Sequence, residues 1–250
     1  MQFKAKVVLV TGASGGIGAG TAAAFAREGA KVMLADINME QGKQRLAEIE
    51  SAGGEAAFFC IDVASAEQMQ ALINQTVQRF GRLDIVHNNA GISGGNDFVA
   101  EVAEAEFDQI VAVNLKAVWL CMKYSIGQML KQGGGVLINT ASALSLTTLP
   151  GSAPYTATKH AVAGLTKTAA TEYGRQNIRI NAVCPGVIRT DMLNSHPQLD
   201  EIEPRLLALH PAGRLGEIDD VVNAVLWLAS DGASFMHGSL MTVDGGWTAA

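Results

Sequence analysis

The chain has 250 residues, of which 48% are apolar and 17% charged, and this composition is typical of a well-packed globular domain rather than a disordered segment. A net charge of −6 argues against a nucleic-acid partner, because phosphate binding needs a basic face. With no run of about 18 apolar residues, no signal-peptide layout and no metal-ligand spacing among the histidines, we expect a cytoplasmic protein with no membrane partner, no metal and three reduced, buried thiols at Cys60, Cys121 and Cys184.

Short apolar runs rich in β-branched residues alternate with longer stretches of helical period. Strands are predicted at residues 6–11, 31–36, 56–62, 83–88, 135–140, 178–184 and 239–243. Helices are predicted at residues 16–29, 39–52, 65–80, 104–130, 153–174 and 218–230. Most of the strands are continuous apolar runs, as in strands covered by helices on both faces. The pattern predicts one α/β domain over residues 1–250, a three-layer αβα sandwich around a seven-stranded parallel sheet.

The first predicted strand runs directly into a glycine-rich turn, TGASGGIG, at residues 11–18. Its glycines let the backbone approach a pyrophosphate, and the following helix offers free N–H groups and its positive end. The spacing G-x-x-x-G-x-G differs from the commoner G-x-G-x-x-G, so the turn alone is weak evidence. Asp36 ends the second predicted strand, where an acid holds the ribose hydroxyls of NAD and repels the extra phosphate of NADP. We therefore predict NAD; the alternative is that Asp36 is a plain turn or cap residue.

Polar and small residues follow the third and fourth predicted strands at the same edge of the sheet. Val63 is placed to face an adenine, and the small residues of HNNAG (87–91) allow a ring or ribose to pack on the backbone. The candidates there are Asp62, Val63, Asn89, Ala90 and Gly91. Taken singly, each is explained as well by a turn. His87 is interpreted as a core or edge residue with satisfied hydrogen bonds.

Tyr155 and Lys159 stand four residues apart in YTATK, which places them on one face of a predicted helix. A free tyrosine has a pKa of about 10 and is a poor base at neutral pH. An ammonium about 4 Å away, at an effective dielectric of about 20, stabilises the phenolate by about 4 kcal/mol, or roughly three pKa units. We therefore expect Lys159 to make Tyr155 a usable general acid/base. The neighbouring His160 lies about 100° away around the helix and is interpreted as a packing or surface residue.

Ser142 follows the fifth predicted strand, where its hydroxyl can hold a substrate oxygen. A serine nucleophile would need a histidine base, and no G-x-S-x-G elbow accompanies it. Residues 187–215 form an insertion with three prolines before the last helix. Such an excursion is usually a lid or binding loop, and the alternative is a surface excursion without function.

The motifs, in this order, resemble those of the short-chain dehydrogenases/reductases, which share a Rossmann-like fold. TGASGGIG is similar to the cofactor loop of that family, NNAG to its sheet-stabilising motif, YTATK to its catalytic pair and CPGVIRT (184–190) to its nicotinamide loop. The resemblance covers the chain from Lys6 to about Gly246. It implies a catalytic set of Asn114, Ser142, Tyr155 and Lys159, in which Asn114 anchors a water that relays protons to Lys159. It also implies a homotetramer, whose usual dimer faces are the helices through Asn114 and Tyr155.

The resemblance extends these roles to two further groups of residues. The implied cofactor-binding residues are Gly12, Ser14, Gly15, Gly16, Ile17, Gly18, Asp36, Ile37, Asp62, Val63, Asn89, Ala90, Gly91, Tyr155, Lys159, Pro185, Gly186, Val187, Ile188, Thr190 and Met192. The expected substrate pocket contains Ser142, Leu144, Leu149, Tyr155, Gly186, Met192 and Leu193, walled by residues 143–152, 93–98 and the lid.

Apolar pocket residues without an evident basic clamp favour a neutral secondary alcohol or its ketone, cyclic or hydrophobic, as the substrate. An alternative is a 3-oxoacyl-[acyl-carrier-protein] reductase, which would use NADPH and a basic docking patch; Asp36 and the negative net charge disfavour both. A third possibility, a non-catalytic dinucleotide sensor, gives no reason for the four catalytic residues to occur together.

Overall fold

A computed structural model describes residues 1–194 and 199–249. The strands are β1 (Val7–Thr11), β2 (Lys31–Asp36), β3 (Glu55–Cys60), β4 (Ile85–Asn88), β5 (Gly135–Thr140), β6 (Ile178–Pro185) and β7 (Leu240–Val243). The helices are α1 (Gly16–Arg27), α2 (Met39–Ser51), α3 (Ala66–Phe80), α4 (Glu104–Val111), α5 (Ala117–Gln132), α6 (Ala153–Tyr173), α7 (Asp191–Asn194), α8 (Leu199–Ala208) and α9 (Ile218–Ala229). The predicted elements are confirmed to within two residues at most ends, and α7 and α8 lie inside the predicted lid.

All seven strands pair in parallel, in the order β3-β2-β1-β4-β5-β6-β7. Helices cover both faces, and one apolar core fills each side of the sheet. The core on the α3, α5 and α6 side is built around Leu9 and Leu137, and the core on the α1 and α9 side around Val10 and Ile138. Neighbouring residues of one strand therefore enter opposite cores, which explains why the strands read as continuous apolar runs. The predicted Rossmann-like sandwich is confirmed.

The longest helix is continuous from Glu104 to Gln132 because a π-helical turn, Ala112–Lys116, joins α4 to α5. By length and composition alone this helix could cross a bilayer, with a mean hydropathy of 1.2 in its most apolar window. Half of that window is buried inside the fold, as is usual for the core helix of an α/β domain, so the composition is weak evidence for a membrane span.

Two sequence-based expectations need correction. β3 ends at Cys60, so Asp62 lies two residues beyond the strand and is exposed, where its carboxylate accepts a hydrogen bond from the Ala64 N–H at 2.9 Å. Only Cys121 and Cys184 are buried; Cys60 is exposed at the carboxyl end of β3, the edge strand of the sheet. Burial raises the pKa of Cys121 to about 12 and that of Cys184 to about 11.

Candidate active site

The site lies at the carboxyl edge of the sheet, between β1 and β4. The chain moves outward from β1 to β2 and β3, then returns to β4 and moves outward in the other direction. Loops that follow β1 and β4 therefore diverge and leave a crevice, where open α/β sheets bind their ligands. The glycine turn and NNAG are these two loops, and they contact each other at the crevice.

The glycine turn is tightly packed at two glycines. Gly12 has a φ of +65°, and a Cβ there would lie 2.9 Å from the Cα of Ala90. A Cβ on Gly18 would overlap the carbonyl oxygen of Gly12. Gly15, by contrast, has open space on its Cβ side among the described residues. The turn thus packs against the NNAG loop on one side and leaves room for a ligand at the start of α1.

Thr11 and Asn89 hold the two loops together. The Thr11 hydroxyl accepts hydrogen bonds from the N–H groups of Asn89 and Ala90 at 3.0 and 3.1 Å. The side-chain amide of Asn89 donates to the carbonyls of Thr11 and Gly12 at 3.2 and 3.3 Å. Asn89 therefore shapes the cofactor turn through its amide and leaves its neighbours Ala90 and Gly91 to line the crevice.

Asp36 ends β2 with its carboxylate bound to two backbone N–H groups, those of Ser14 at 3.0 Å and Asn38 at 2.9 Å. The cap of α2 is Asn38, whose side chain accepts from Gln41, so the alternative that Asp36 itself caps the helix is wrong. The carboxylate instead stands beside the glycine turn, where a ribose would meet it. Ile37 is 71% exposed, whereas Val63 is buried.

Arg45 is a neighbour of this turn that sequence reasoning missed. Its Nε donates to the Ser14 carbonyl at 3.2 Å, while its Nη1 binds both carboxylate oxygens of Glu48 at 2.8 and 3.0 Å. The cation comes from the second turn of α2, nine residues beyond Asp36, and no local motif marks it.

Tyr155 and Lys159 lie on one face of α6, and the Lys159 Nζ is 5.4 Å from the centre of the Tyr155 ring. Lys159 is buried, with 3% of its surface exposed, and its Nζ donates to the carbonyl of Thr140 at 2.7 Å, at the end of β5. The ammonium is thus fixed by the sheet edge and turned toward the phenol, as the helical spacing predicts.

The acidities of the pair differ from the expectation. Burial raises the pKa of Tyr155 above its usual 10, and the nearby Ser142 hydroxyl partly offsets this rise. Burial also lowers the pKa of Lys159 to about 8. Burial thus opposes the stabilisation of the phenolate that is expected from Lys159, because desolvation disfavours the charged form of the phenol.

Ser142 begins a short 3₁₀ turn, Ala143–Ser145, directly after β5. Its hydroxyl accepts from the Leu144 N–H at 3.1 Å, and its own N–H donates to the Ser145 hydroxyl at 3.2 Å. Ser145 in turn donates to the backbone carbonyl of Lys159 at 2.8 Å. The turn after β5 and helix α6 are therefore fixed to each other beside the Tyr155 hydroxyl. Sequence reasoning gave Ser145 no role.

Asn114 lies fully buried in the π-helical turn. Its Oδ1 accepts from the Ile92 N–H and its Nδ2 donates to the Ile92 carbonyl, both at 2.8 Å. A Cβ on Gly91 would lie 3.3 Å from this amide oxygen and 3.8 Å from the Lys159 Nζ. The side chain of Asn114 thus fixes the segment after β4 next to Lys159, with its amide paired to the Ile92 backbone.

The nicotinamide loop of the resemblance follows β6. Gly186 donates to the Val243 carbonyl at 3.1 Å, and Ile188 pairs with Gly216 in an isolated parallel bridge. Thr190 reaches back across the crevice, where its methyl group lies 3.3 Å from the Cβ position of Gly16. The loop therefore closes the crevice over the glycine turn.

The structure places the two histidines that the sequence analysis interpreted, His87 and His160. His87 is fully buried, and its Nε2 lies 2.9 Å from the Thr140 hydroxyl. His87 is therefore a core residue, as interpreted, although its Nδ1 has no partner among the described residues. Burial lowers its pKa to about 3. His160 is exposed, in agreement with a surface role.

Three leucines and a glycine turn of the expected substrate wall lie within the described residues. Leu144 is buried, Leu149 and Leu193 are partly buried, and residues 93–98 pack on the 149–152 turn, because a Cβ on Gly151 would lie 2.8 Å from the Asn96 carbonyl oxygen. The side chain of Met192 and residues 195–198 of the predicted lid lie outside the described residues.

In the part of the chain that is described, no group of His, Cys, Asp or Glu side chains forms a metal site. A cavity of about 320 Å³ lies at the opposite edge of the sheet, away from these residues.

Comparison with known proteins decides the family. The family described as enoyl-(acyl carrier protein) reductase matches residues 12–248. Cyclohexanol dehydrogenase of Acinetobacter sp. (strain SE19) is 41% identical over 247 residues, which cover 99% of this chain and 96% of that protein. Levodione reductase of Leifsonia aquatica is 39% identical over 257 residues, which cover 100% of this chain and 96% of that protein. The chain belongs to the short-chain dehydrogenases/reductases.

Solved structures of this family agree. A crystal structure of levodione reductase has a TM-score of 0.94 at 39% identity and covers 99% of both chains. A 3-ketoacyl-(acyl-carrier-protein) reductase from Brucella melitensis, complexed with NADH, has a TM-score of 0.91 at 32% identity and covers 98% of this chain and 99% of its own. As a short-chain dehydrogenase/reductase, this chain is an oxidoreductase with a site for a nicotinamide dinucleotide.

Proposed function

We propose that the protein uses NAD to interconvert a neutral, cyclic or hydrophobic secondary alcohol and its ketone. The observation that carries the proposal is the arrangement of Ser142, Tyr155 and Lys159 beside a crevice whose ribose end holds the carboxylate of Asp36. Relatives named for cyclohexanol and levodione support a cyclic substrate, and the NADH complex of a neighbour supports the cofactor.

The bound dinucleotide supplies the hydride chemistry, and the protein supplies position and protons. Ser142 holds the substrate oxygen. Tyr155 gives its phenolic proton to that oxygen during ketone reduction and accepts it back during alcohol oxidation. Lys159 stabilises the phenolate that forms, because its ammonium stands on the same face of α6. Ile188 offers an N–H and a carbonyl that face away from Gly216, a pair complementary to a carboxamide.

A 3-oxoacyl-[acyl-carrier-protein] reductase is the second candidate, favoured by the likeness to the ketoacyl reductase of Brucella melitensis. Two features favour the alcohol dehydrogenase instead. Asp36 would repel the extra phosphate of the NADPH that such a reductase would use, and the net charge of −6 disfavours the basic docking face that a carrier protein needs.

Tyr155→Phe tests the assignment directly. We expect the variant to bind NADH like the parent and to lose turnover by about 100-fold to 10,000-fold, the usual contribution of a general acid/base. Tyr173→Phe, at the far end of the same helix, is the matched control. Turnover is followed at the NADH absorbance band with neutral cyclic alcohols and ketones, a carboxylated analogue and a 3-oxoacyl thioester. Near-normal turnover by Tyr155→Phe would remove Tyr155 from the mechanism, and a preference for the thioester would favour the second candidate.

We also propose a cytoplasmic homotetramer. Phe107 and Trp119 are 45% and 44% exposed on α4 and α5, and Trp227 is 43% exposed on α9, so two helical faces present aromatic surface to a partner. Sedimentation velocity measures the mass, and a monomer at micromolar concentration would contradict the assembly.

A further inference from the structure

His210 lies just beyond α8, outside every sequence motif, yet it is 3% exposed and makes contacts with three separate segments. Its Nδ1 is 2.7 Å from the Leu206 carbonyl oxygen in α8. Its Nε2 is 3.0 Å from the Val187 nitrogen in the nicotinamide loop. Its ring lies against that of Trp247 near the C-terminus, with centroids 5.6 Å apart.

These contacts define the protonation of the ring. A carbonyl oxygen can only accept, so the Nδ1 carries the hydrogen and donates to Leu206. The Val187 N–H can only donate, so the Nε2 has no hydrogen and accepts. The neutral Nδ1–H tautomer is the state that makes both hydrogen bonds.

The bond to His210 fixes a peptide that shapes the cofactor loop. The carbonyl of Val187 accepts from the Gly216 N–H at 2.9 Å, and the Arg189 N–H donates to the Gly216 carbonyl at 2.8 Å. With its N–H held by His210, Val187 is bonded on both sides. Ile188 lies between the two bonds to Gly216, so its own N–H and carbonyl face the opposite side.

Close packing leaves the loop little freedom to replace this bond. A Cβ on Gly186 would lie 2.6 Å from the His210 Nε2 and 3.0 Å from the Cα of Asp244. The ring is therefore tightly held between the loop and the C-terminal segment, whose Gly245 also approaches it.

We propose that His210 is a positioning residue for the cofactor: by holding the Val187 peptide, it orients the main-chain groups of Ile188 toward the nicotinamide carboxamide. The proposal rests on the proposed use of a nicotinamide dinucleotide in this crevice. It assigns His210 to cofactor affinity and leaves the proton chemistry to Tyr155.

His210→Phe and His210→Gln separate the hydrogen bonds from the packing. Phenylalanine keeps an aromatic ring against Trp247 and removes both hydrogen bonds, whereas glutamine retains a donor and an acceptor. We expect His210→Phe to raise the Kd of NADH about threefold to tenfold, because of the two lost bonds only the one to Val187 holds the cofactor loop. We expect turnover at saturating NADH and its pH profile to stay close to the parent values. His210→Gln should restore most of the affinity, and His237→Phe, at an exposed histidine, is the control.

Three results would overturn the proposal: an unchanged Kd in His210→Phe, a loss confined to turnover, or no rescue by glutamine. Nitrogen-15 NMR of the histidine-labelled parent protein is a test that needs no variant and should show the Nδ1–H tautomer at residue 210. An Nε2–H tautomer or an imidazolium at neutral pH would contradict the inference. If the parent protein bound no NADH at all, the proposed function would fail instead.

Discussion

The charge of Asp36 is the feature of the crevice whose effect on cofactor choice can be tested most directly. We expect the parent protein to bind NAD at least about tenfold more tightly than NADP. At about 5 Å and an effective dielectric of about 20, the carboxylate repels each unit of charge on a ribose phosphate by about 3 kcal/mol. Solvent screening at this half-buried position reduces the repulsion, and about 1.4 kcal/mol suffices for a tenfold difference.

The hydrogen bond of Asp36 to the Ser14 N–H requires two variants, because removal of the whole side chain would also loosen the glycine turn. Asp36→Asn keeps an acceptor and removes the charge, whereas Asp36→Ala removes both. Asp36→Asn should therefore reduce the ratio of the Kd of NADP to the Kd of NAD, and it should change the affinity for NAD less than Asp36→Ala does. Glu48→Gln, added to Asp36→Asn, should reduce this ratio further, because the positive charge of Arg45 is then no longer neutralised by Glu48 and attracts the extra phosphate of NADP.

Isothermal titration with NAD and NADP measures these affinities at fixed ionic strength. Glu50→Gln, on an exposed part of α2, controls for a general loss of negative charge. Tighter binding of NADP than of NAD by the parent, or an unchanged ratio in Asp36→Asn, would refute the electrostatic reasoning.

Four other substitutions test the site and its surroundings. Lys159→Met should abolish turnover yet raise the free energy of unfolding at pH 7 by about 1–2 kcal/mol, because a pKa of about 8 instead of 10.5 means that burial of the ammonium costs about 3 kcal/mol, while loss of the hydrogen bond to Thr140 offsets part of the gain in stability. The stability difference between the variant and the parent should shrink as the pH rises from 8 to 10.5, and urea denaturation at both pH values measures it. From pH 7 to pH 4 the free energy of unfolding of His87→Leu should fall by about 3 kcal/mol less than that of the parent, because in the parent His87 binds a proton at pH 4 only when the chain is unfolded. An equal fall in the two proteins would contradict this. Gly18→Ala should lower the Tm through overlap with the Gly12 carbonyl, whereas Gly15→Ala should keep the Tm and weaken NADH binding; calorimetry and titration compare the two, and an unchanged Tm in Gly18→Ala would count against the packing of the turn.

Local patterns predicted the elements and the members of the site because both depend on short-range rules. β-branched runs between glycine turns mark buried parallel strands, and a four-residue spacing places Tyr155 and Lys159 on one helical face. The loops at one sheet edge then meet because the strands are parallel. Asp36 could be placed beside the glycine turn for the same reason.

The remaining features depend on single bonds between distant residues. Arg45 reaches Ser14 across 31 positions, and His210 reaches Val187 across 23, with no spacing rule to indicate either. Asn114, in the π-helical turn, is likewise paired with a distant segment, the Ile92 backbone. Exposure of Cys60 depends on which face of an outer strand is left uncovered, and the apolar run gave no sign of it.

The pKa of Tyr155 could not be predicted from its contact with Lys159 alone. The spacing in YTATK sets the distance to Lys159, but the depth of burial sets the cost of the phenolate, and burial is a property of the whole fold. At neutral pH, burial of the pair favours a neutral phenol, and a pKa of about 8 leaves Lys159 protonated. A ketone that arrives finds the proton already on Tyr155, whereas an alcohol requires that proton to leave first. The positive charge of Lys159 and the Ser142 hydroxyl favour that departure, and desolvation opposes it. Oxidation should therefore depend on pH more steeply than reduction, since only oxidation begins from the phenolate.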